Sequence, residues 1–197
     1  MAISMDERAQ RQAVGFRVGD AGADARLREL ILYIALCCER HARFGATKLN
    51  KILYYADFIS YARYGEAITG ADYMKLPNGP APVRLVPVRN EMIGRQEIVI
   101  REKRFGNIAQ HRIIALREPD LRGFKGRDIA LVDEVIQALA ARTADEVSDL
   151  SHGIAWRIAD ERGLIPYEAI LLAEPVVRPQ DIEEARQLAD KYGWVDA

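Results

Sequence analysis

One segment constrains the fold more than any other part of this sequence. In it, apolar residues recur at helical spacing, and a cluster of glycines and prolines follows closely. Apolar side chains recur at steps of three and four and predict a helix with one buried stripe: Leu49, Ile52, Leu53, Ala56 and Ile59. Thr47 is the predicted N-cap of this helix, and Gly65 is predicted to end it. Five glycines and prolines between residues 68 and 82 then predict a loop, because they remove helical hydrogen bonds and permit sharp turns.

The remaining segments predict further helices and one hairpin. Helices are predicted at residues 24–42, 83–94, 128–141 and 180–192. Thr143, followed three residues later by a glutamate, forms a capping box that opens another helix. Residues 96–105 and 108–116 are β-rich and flank Gly106-Asn107, a dipeptide typical of hairpin turns. We therefore predict an α+β fold that is predominantly α-helical, a compact helical domain with one small antiparallel β-hairpin.

Length and composition are those of one ordinary globular domain with tails. The 197 residues are 49% hydrophobic and 29% charged, and no apolar run approaches the roughly 18 residues of a membrane span. The N-terminus has no signal-peptide pattern, so we expect a cytoplasmic protein without a membrane partner. We predict a mobile tail at residues 1–23, the main domain at residues 24–173, and an extension with one helix at residues 174–197.

Charge is unevenly distributed along the chain, although the net charge is only −1. Basic side chains concentrate in residues 84–127 and acidic side chains in residues 128–197. Two explanations are open. Either the two regions attract one another within the fold, or one of them docks a partner of the opposite charge.

The sequence offers only weak candidates for metal binding or catalysis. Cys37 and Cys38 are adjacent, which disfavours a disulfide between them, and together with His41 they supply too few converging ligands for a metal. Ser151 precedes His152, but neighbouring residues of a helix point about 100° apart and are poorly placed for a catalytic pair. We therefore expect no metal, no cofactor and no enzymatic activity.

Several short motifs follow one another in a fixed order across most of the chain. They are Thr47-Lys48-Leu49-Asn50-Lys51-Ile52-Leu53-Tyr54-Tyr55-Ala56-Asp57, Asn78-Gly79-Pro80, Leu150-Ser151-His152 with Trp156, and Ile165-Pro166-Tyr167. In order and spacing, residues 25–173 resemble the Panacea domain, the family of SocA-type antitoxins that occurs beside many unrelated toxins. Ala81-Pro82 departs from the family, whose members often carry Val and an aromatic residue after the Gly-Pro turn.

The resemblance implies a non-enzymatic antitoxin that binds and neutralises a cognate toxin protein, and that delivers it to a Clp-type protease if it acts as a SocA-type adaptor. Many toxins act on nucleic acids through basic clefts, for which the acidic C-terminal third is a suitable cover. His152 and Trp156 are one helical turn apart and are expected to stack or to flank a common groove. The residues that the resemblance and their positions single out are Lys48, Tyr54, Asp57, Tyr73, Gly79, Pro80, His152 and Trp156.

Tyr54 and Asp57 share one face of the predicted helix because they are three residues apart. This polar and aromatic face has two explanations. In the first, both side chains are buried and hydrogen-bonded against the Gly79-Pro80 turn and so determine the fold. In the second, they contact the toxin together with the loop at residues 73–82, since tyrosine is favoured at interfaces.

Two alternatives to an antitoxin remain open. A helix followed by a basic hairpin is also the pattern of a winged helix, in which the tip of the hairpin meets nucleic-acid phosphates. The cations of this hairpin are Arg101, Lys103, Arg104 and Arg112. The helix has few basic residues, so nucleic acid is the less favoured partner. The domain could also be a general protein-interaction module of mobile-element origin.

Overall fold

The computed structural model describes residues 20–105, 108–172 and 187. Its α-helices are α1 (Asp20–Cys37), α2 (Ala46–Tyr64), α3 (Leu85–Gly94), α4 (Gly126–Ala140), α5 (Ala144–Leu150) and α6 (Ile154–Ile158), with 3-10 helices at Leu121–Gly123 and Tyr167–Leu172. Its strands are β1 (Tyr73–Met74), β2 (Ala81–Pro82), β3 (Ile98–Phe105), β4 (Ile108–Ala115) and β5 (Leu164–Ile165). The predicted α+β class with mostly helical content is confirmed. Across these described residues, no helix combines the length and the apolar character that crossing a membrane requires.

Helix α2 is the central element of the fold. It packs against α1, α4, α5, β2, β4 and the 3-10 helix at Tyr167–Leu172. Because neighbours surround it, α2 buries polar as well as apolar side chains, among them Lys48, Lys51 and Asp57. The aromatic ring of Phe58 packs 5.4 Å from Tyr73 and 4.8 Å from Tyr167, measured between ring centroids. This aromatic cluster joins α2 to the segment that follows it and to the end of the domain.

The ends of α2 differ in part from the prediction. Gly65 ends the helix as predicted, with φ at 73° and its N–H bonded to the Tyr61 carbonyl at 2.8 Å. The N-cap, however, is Gly45 rather than Thr47, because Gly45 takes the extended cap conformation and its carbonyl already accepts from the N–H of Leu49. A Cβ at Gly45 would lie 2.7 Å from Gln110 Cγ, so the close approach of β4 favours glycine there.

The segment predicted to be a loop at residues 68–82 contains two short strands. Strand β1 lies between β2 and β5 in a three-stranded antiparallel sheet, with Tyr73 opposite both Pro82 and Ile165. The fold therefore has two small sheets in its described part and not the single hairpin predicted. Two-residue strands carry no sequence periodicity, and β5 is supplied by a distant part of the chain, so no local pattern could have predicted this sheet.

The predicted hairpin is confirmed in β3 and β4, which pair antiparallel from Ile98 opposite Ala115 to Phe105 opposite Ile108. Its Gly106-Asn107 turn lies outside the described residues. The capping box at Thr143 is also confirmed, and the helix it opens ends at Leu150. A new helix, α6, then starts with Gly153 as its N-cap.

The predicted tails lie mostly outside the described residues. Helix α1 begins at Asp20, so residues 20–23, which were assigned to the tail, are helical, and α1 ends at Cys37 rather than at residue 42. In the C-terminal extension only Gln187 is described, and it is helical and exposed.

Candidate functional site

Three of the four sequence motifs meet around one turn at residues 76–80, here named the Gly79 turn. Three side chains from three different helices donate hydrogen bonds to carbonyl groups of this turn. Lys51 Nζ donates to the carbonyl of Pro80 (3.2 Å), Ser148 Oγ to that of Asn78 (2.7 Å), and Trp156 Nε1 to that of Leu76 (2.9 Å). The turn is therefore fixed to α2, α5 and α6 at once. These hydrogen bonds satisfy carbonyl groups of the turn, and the Leu76 carbonyl also accepts from the N–H of Gly79 at 2.9 Å.

Gly79 is required by both backbone conformation and space. Its φ is 93°, a region that residues with a Cβ rarely adopt. A Cβ at this position would also overlap the side-chain ends of Ser151 and Lys51. The glycine thus allows the turn to approach α2 and α5 closely enough for the hydrogen bonds from Lys51 and Ser148 to form.

Lys51 is the most unusual residue at this site, and the sequence analysis did not single it out. It is only 2% exposed, and burial lowers its pKa to about 8, because a low-dielectric surrounding disfavours the charged ammonium. Lys51 is two positions from both Leu49 and Leu53 and so lies outside the predicted apolar stripe of α2, which is why the sequence carried no signal for its burial. Because its ammonium donates to the Pro80 carbonyl, Lys51 holds the turn against α2.

Lys48 holds a different part of the molecule. Its Nζ donates to the carbonyls of Leu139 and Ala140, both at 2.9 Å, in the last turn of α4. The final carbonyls of a helix lack intrahelical partners and carry partial negative charge, so a buried ammonium stabilises them. Lys48 therefore lies inside the fold as a cap of α4.

Asp57 is completely buried and serves as a hydrogen-bond acceptor. It accepts from the backbone N–H of Thr69 at 2.6 Å, from the Thr69 hydroxyl, and from the Tyr73 hydroxyl at 2.8 Å. Burial raises the pKa of Asp57, and these hydrogen bonds oppose that rise. Of the two explanations left open, Asp57 shows the burial and hydrogen bonding of the first, but its partners are Thr69 and Tyr73 and not the Gly79-Pro80 turn.

Tyr54 and Tyr73 belong to the aromatic cluster. Tyr54 is buried, with its ring centroid 4.4 Å from Phe58 and 5.8 Å from Tyr73. Burial, together with the charge of Asp57, raises the pKa of Tyr73 well above its ordinary value. These rings fill the space between α2 and the three-stranded sheet.

His152 and Trp156 stack as expected, with ring centroids 4.1 Å apart. The ammonium of Lys75 lies 4.3 Å from the centre of the Trp156 ring, which places a cation over an aromatic face. Both rings are half-buried. The hydroxyl of Ser151 donates to the Ser148 carbonyl at 2.6 Å, so this serine satisfies a backbone carbonyl near the end of α5.

Exposure divides the eight singled-out residues into two groups. Six of them are buried: Lys48, Tyr54, Asp57, Tyr73, Gly79 and Pro80. His152 and Trp156 alone reach the surface in part. Pro77 and Asn78 in the turn, and Leu150 at the end of α5, are exposed, and the sequence analysis did not select them.

The hairpin cations do not form one group. Arg101, Lys103 and Arg104 are exposed, but Arg112 is buried and donates to the carbonyls of Cys38 and Glu39, at 3.4 Å and 2.7 Å. Arg112 was therefore wrongly grouped with surface cations, because it satisfies the carbonyls that follow α1. In addition, both lysines near the start of α2 point into the protein, so this helix presents no ammonium groups to a nucleic-acid backbone.

The two adjacent cysteines differ in exposure. Cys38 is buried, which raises the pKa of its thiol to about 12, and Cys37 is exposed. Over the described ranges, no group of three or more His, Cys, Asp and Glu residues is placed to hold a metal ion.

The close fit at Gly79 predicts that one added methyl group at this position strongly destabilises the protein. Gly79→Ala should lower the free energy of unfolding by about 3 kcal/mol, since it combines backbone strain with overlap against Ser151 and Lys51. Gly65→Ala is the matched control, because Gly65 also has positive φ but faces open space, and it should cost about 1 kcal/mol. Urea unfolding of both variants measures these two losses of free energy. Losses of equal size would show that Gly79 is not closely packed against Ser151 and Lys51.

Burial of Lys51 predicts a pH dependence of stability. The unfolded chain should titrate this residue near 10.5 and the folded chain near 8, so the unfolded chain binds more protons between these values. The contribution of Lys51 to the free energy of unfolding therefore rises with pH in that window. Between about pH 7 and about pH 9.5, the free energy of unfolding of wild type should rise by about 2 kcal/mol relative to that of Lys51→Met.

Urea titrations at several pH values measure this gain. Lys103→Met is the control for the exchange of lysine for methionine itself, because Lys103 is exposed and lies on β3. If the free energies of unfolding of wild type and Lys51→Met differ by the same amount at every pH in this window, Lys51 titrates as an ordinary solvated lysine and the prediction is wrong.

Comparison with known proteins identifies the family to which the chain belongs. A family model described as the antitoxin SocA-like, Panacea domain matches residues 49–157. No curated protein and no solved structure matches the chain. The matched range extends from Leu49 in α2 to Arg157, directly after Trp156, and so contains all three side chains that hold the Gly79 turn. The chain belongs to the family of SocA-like antitoxins that is defined by the Panacea domain.

Proposed function

We propose that this protein neutralises a cognate toxin by direct contact, through the surface around the Gly79 turn. The observation that carries the proposal is the convergence of family motifs on this turn, which three helices hold by hydrogen bonds. A turn that is fixed before binding loses little conformational entropy when a partner docks on it. Membership of an antitoxin family indicates the kind of partner, namely a toxin.

The composition of this surface suits a protein partner. Leu150 is 49% exposed and lies at the end of α5, whose Ser148 contacts the Gly79 turn. The half-buried Trp156 adds an aromatic ring, a group enriched among residues that dominate binding energy. An exposed aliphatic residue, an aromatic ring and a rigid turn together provide an anchor for a partner side chain.

The charge near this anchor favours a basic partner. Helix α5 exposes Asp145, Glu146 and Asp149 along seven residues. Toxins that act on nucleic acids have basic surfaces, which an acidic helix would attract and orient during association. Neutralisation would follow from covering that basic surface. Delivery to a Clp-type protease in the cytoplasm would be a second step after the same contact.

The test uses the product of the gene adjacent to this one. Cells expressing that product alone should stop growing, and co-expression of this protein should restore growth and yield a stable complex. Leu150→Asp places a charge in the proposed anchor and should weaken the complex at least about tenfold without lowering the melting temperature. Leu116→Asp is the matched control, since Leu116 is 51% exposed but follows β4, outside the elements around the turn.

The possible outcomes separate the parts of the proposal. Full rescue by Leu150→Asp would show that the surface is wrongly placed. An adjacent gene product that is neither toxic nor bound would contradict the antitoxin function. Rescue that is lost in cells lacking Clp proteases, with the complex intact, would show that neutralisation requires proteolysis.

A further inference from the structure

Strand β3 forms an open edge of the hairpin within the described part of the chain. Its eight residues, Ile98–Phe105, pair with β4 in one continuous register, and no other described strand pairs with it. Cross-strand neighbours show that β4 lies against the body of the protein and β3 lies outside it. Ile113 on β4 is 4% exposed, whereas Ile100, directly opposite on β3, is 38% exposed. We name the side of β3 that faces away from β4 the outer edge.

Backbone groups project from the outer edge at alternate residues. The N–H of Leu116 donates to the Glu97 carbonyl at 2.8 Å, which identifies these two as a hydrogen-bonded pair of the antiparallel ladder. Such pairs alternate along the ladder with pairs whose backbone groups point away from one another. Along the observed register, the outward groups of β3 therefore include those of Ile100, Glu102 and Arg104. They are donors and acceptors that a further strand can use.

The outer edge lacks most of the devices by which proteins prevent such pairing. Edge strands are commonly shortened, interrupted by proline or a bulge, or guarded by charged side chains. Strand β3 has eight residues, contains no proline or glycine, and pairs with β4 without a bulge. Its charged side chains occur only at residues 101–104. These charges disfavour a partner strand of like charge and leave a partner of opposite charge able to pair.

The charges of β3 favour an acidic partner. Residues 98–105 include three basic side chains and one acidic side chain, which gives the strand a net charge of +2. Glu102 is paired with Arg104 at 3.1 Å on one face of the hairpin. The other face carries Arg101 and Lys103, both exposed. A carboxylate on an added strand, placed opposite Arg101, would form a favourable cross-strand pair, whereas a basic residue there would be repelled.

From these observations we infer that the outer edge of β3 binds an extended, acidic segment of a partner protein by strand addition. Carboxylates of this segment lie on the face of Arg101, and the apolar residues that alternate with them lie on the face of Ile98 and Ile100. A second copy of the chain is a poorer occupant, because antiparallel self-pairing centred on any residue from 101 to 104 places like charges opposite one another. The inference does not depend on the proposed function, since no residue of the Gly79 turn takes part.

Hydrogen exchange measured by NMR for each amide tests the inference with two capped synthetic octapeptides. One alternates valine with glutamate, and the other alternates valine with lysine. The glutamate peptide at saturation should slow the exchange of the outward amides of Ile100, Glu102 and Arg104 at least about tenfold, and the lysine peptide should leave it unchanged. Arg101→Glu should weaken binding of the glutamate peptide at least about fivefold, because it reverses the charge that attracts the carboxylates. Arg157→Glu is the matched control, since Arg157 is exposed but lies on α6, and it should bind as wild type does.

Four results would overturn the inference. Unchanged exchange of the outward amides with the glutamate peptide would show that no strand is added at this edge. Equal slowing by the lysine peptide, or equal weakening by Arg157→Glu and Arg101→Glu, would show that the edge does not select an acidic partner. Slow exchange of these amides without peptide would show that the edge is already covered. The cover would be a second copy if dilution restores fast exchange and lowers the molecular mass in light scattering, and otherwise the chain itself.

Discussion

The carboxylate of Asp57 is buried completely, and a buried charge is stable only when donors surround it. The donors come from the segment that follows α2: the N–H and hydroxyl of Thr69 and the hydroxyl of Tyr73. The Thr69 hydroxyl oxygen also accepts from the N–H of Ala71, whose carbonyl accepts from Tyr167. One carboxylate thereby orders the path of the chain into β1, and through β1 the whole three-stranded sheet.

The same helix extends two further polar side chains into the interior, each toward a different segment. Lys48 binds the last carbonyls of α4, and Lys51 binds the Gly79 turn. These groups are costly to bury, and the hydrogen bonds they make offset that cost only when all partners are in place. The family signature on α2 thus includes three side chains that hold the fold, of which Lys51 positions the Gly79 turn. In the proposed function, the surface that contacts the toxin lies outside that helix.

The sequence predicted those features that depend on neighbouring residues. The end of α2 at Gly65, the capping box at Thr143 and the hairpin were all correct, because positive φ, capping and strand pairing across a short turn are local properties. The partners of Asp57 and Arg112 were missed, since they depend on which distant backbone groups the fold brings near. Leu150 belonged to one of the motifs but was not selected as a site residue, because the sequence does not show which leucines the fold leaves exposed.

A double-mutant cycle on Asp57 and Tyr73 tests most directly whether the signature of α2 acts through the fold. Asp57→Asn, Tyr73→Phe and the double variant would be unfolded in urea, and their free energies of unfolding compared. A fold-determining hydrogen bond between the two residues predicts a coupling energy of at least about 1 kcal/mol. Effects that add within about 0.4 kcal/mol would contradict the account, because the Asp57 carboxylate would then not hold Tyr73 in β1.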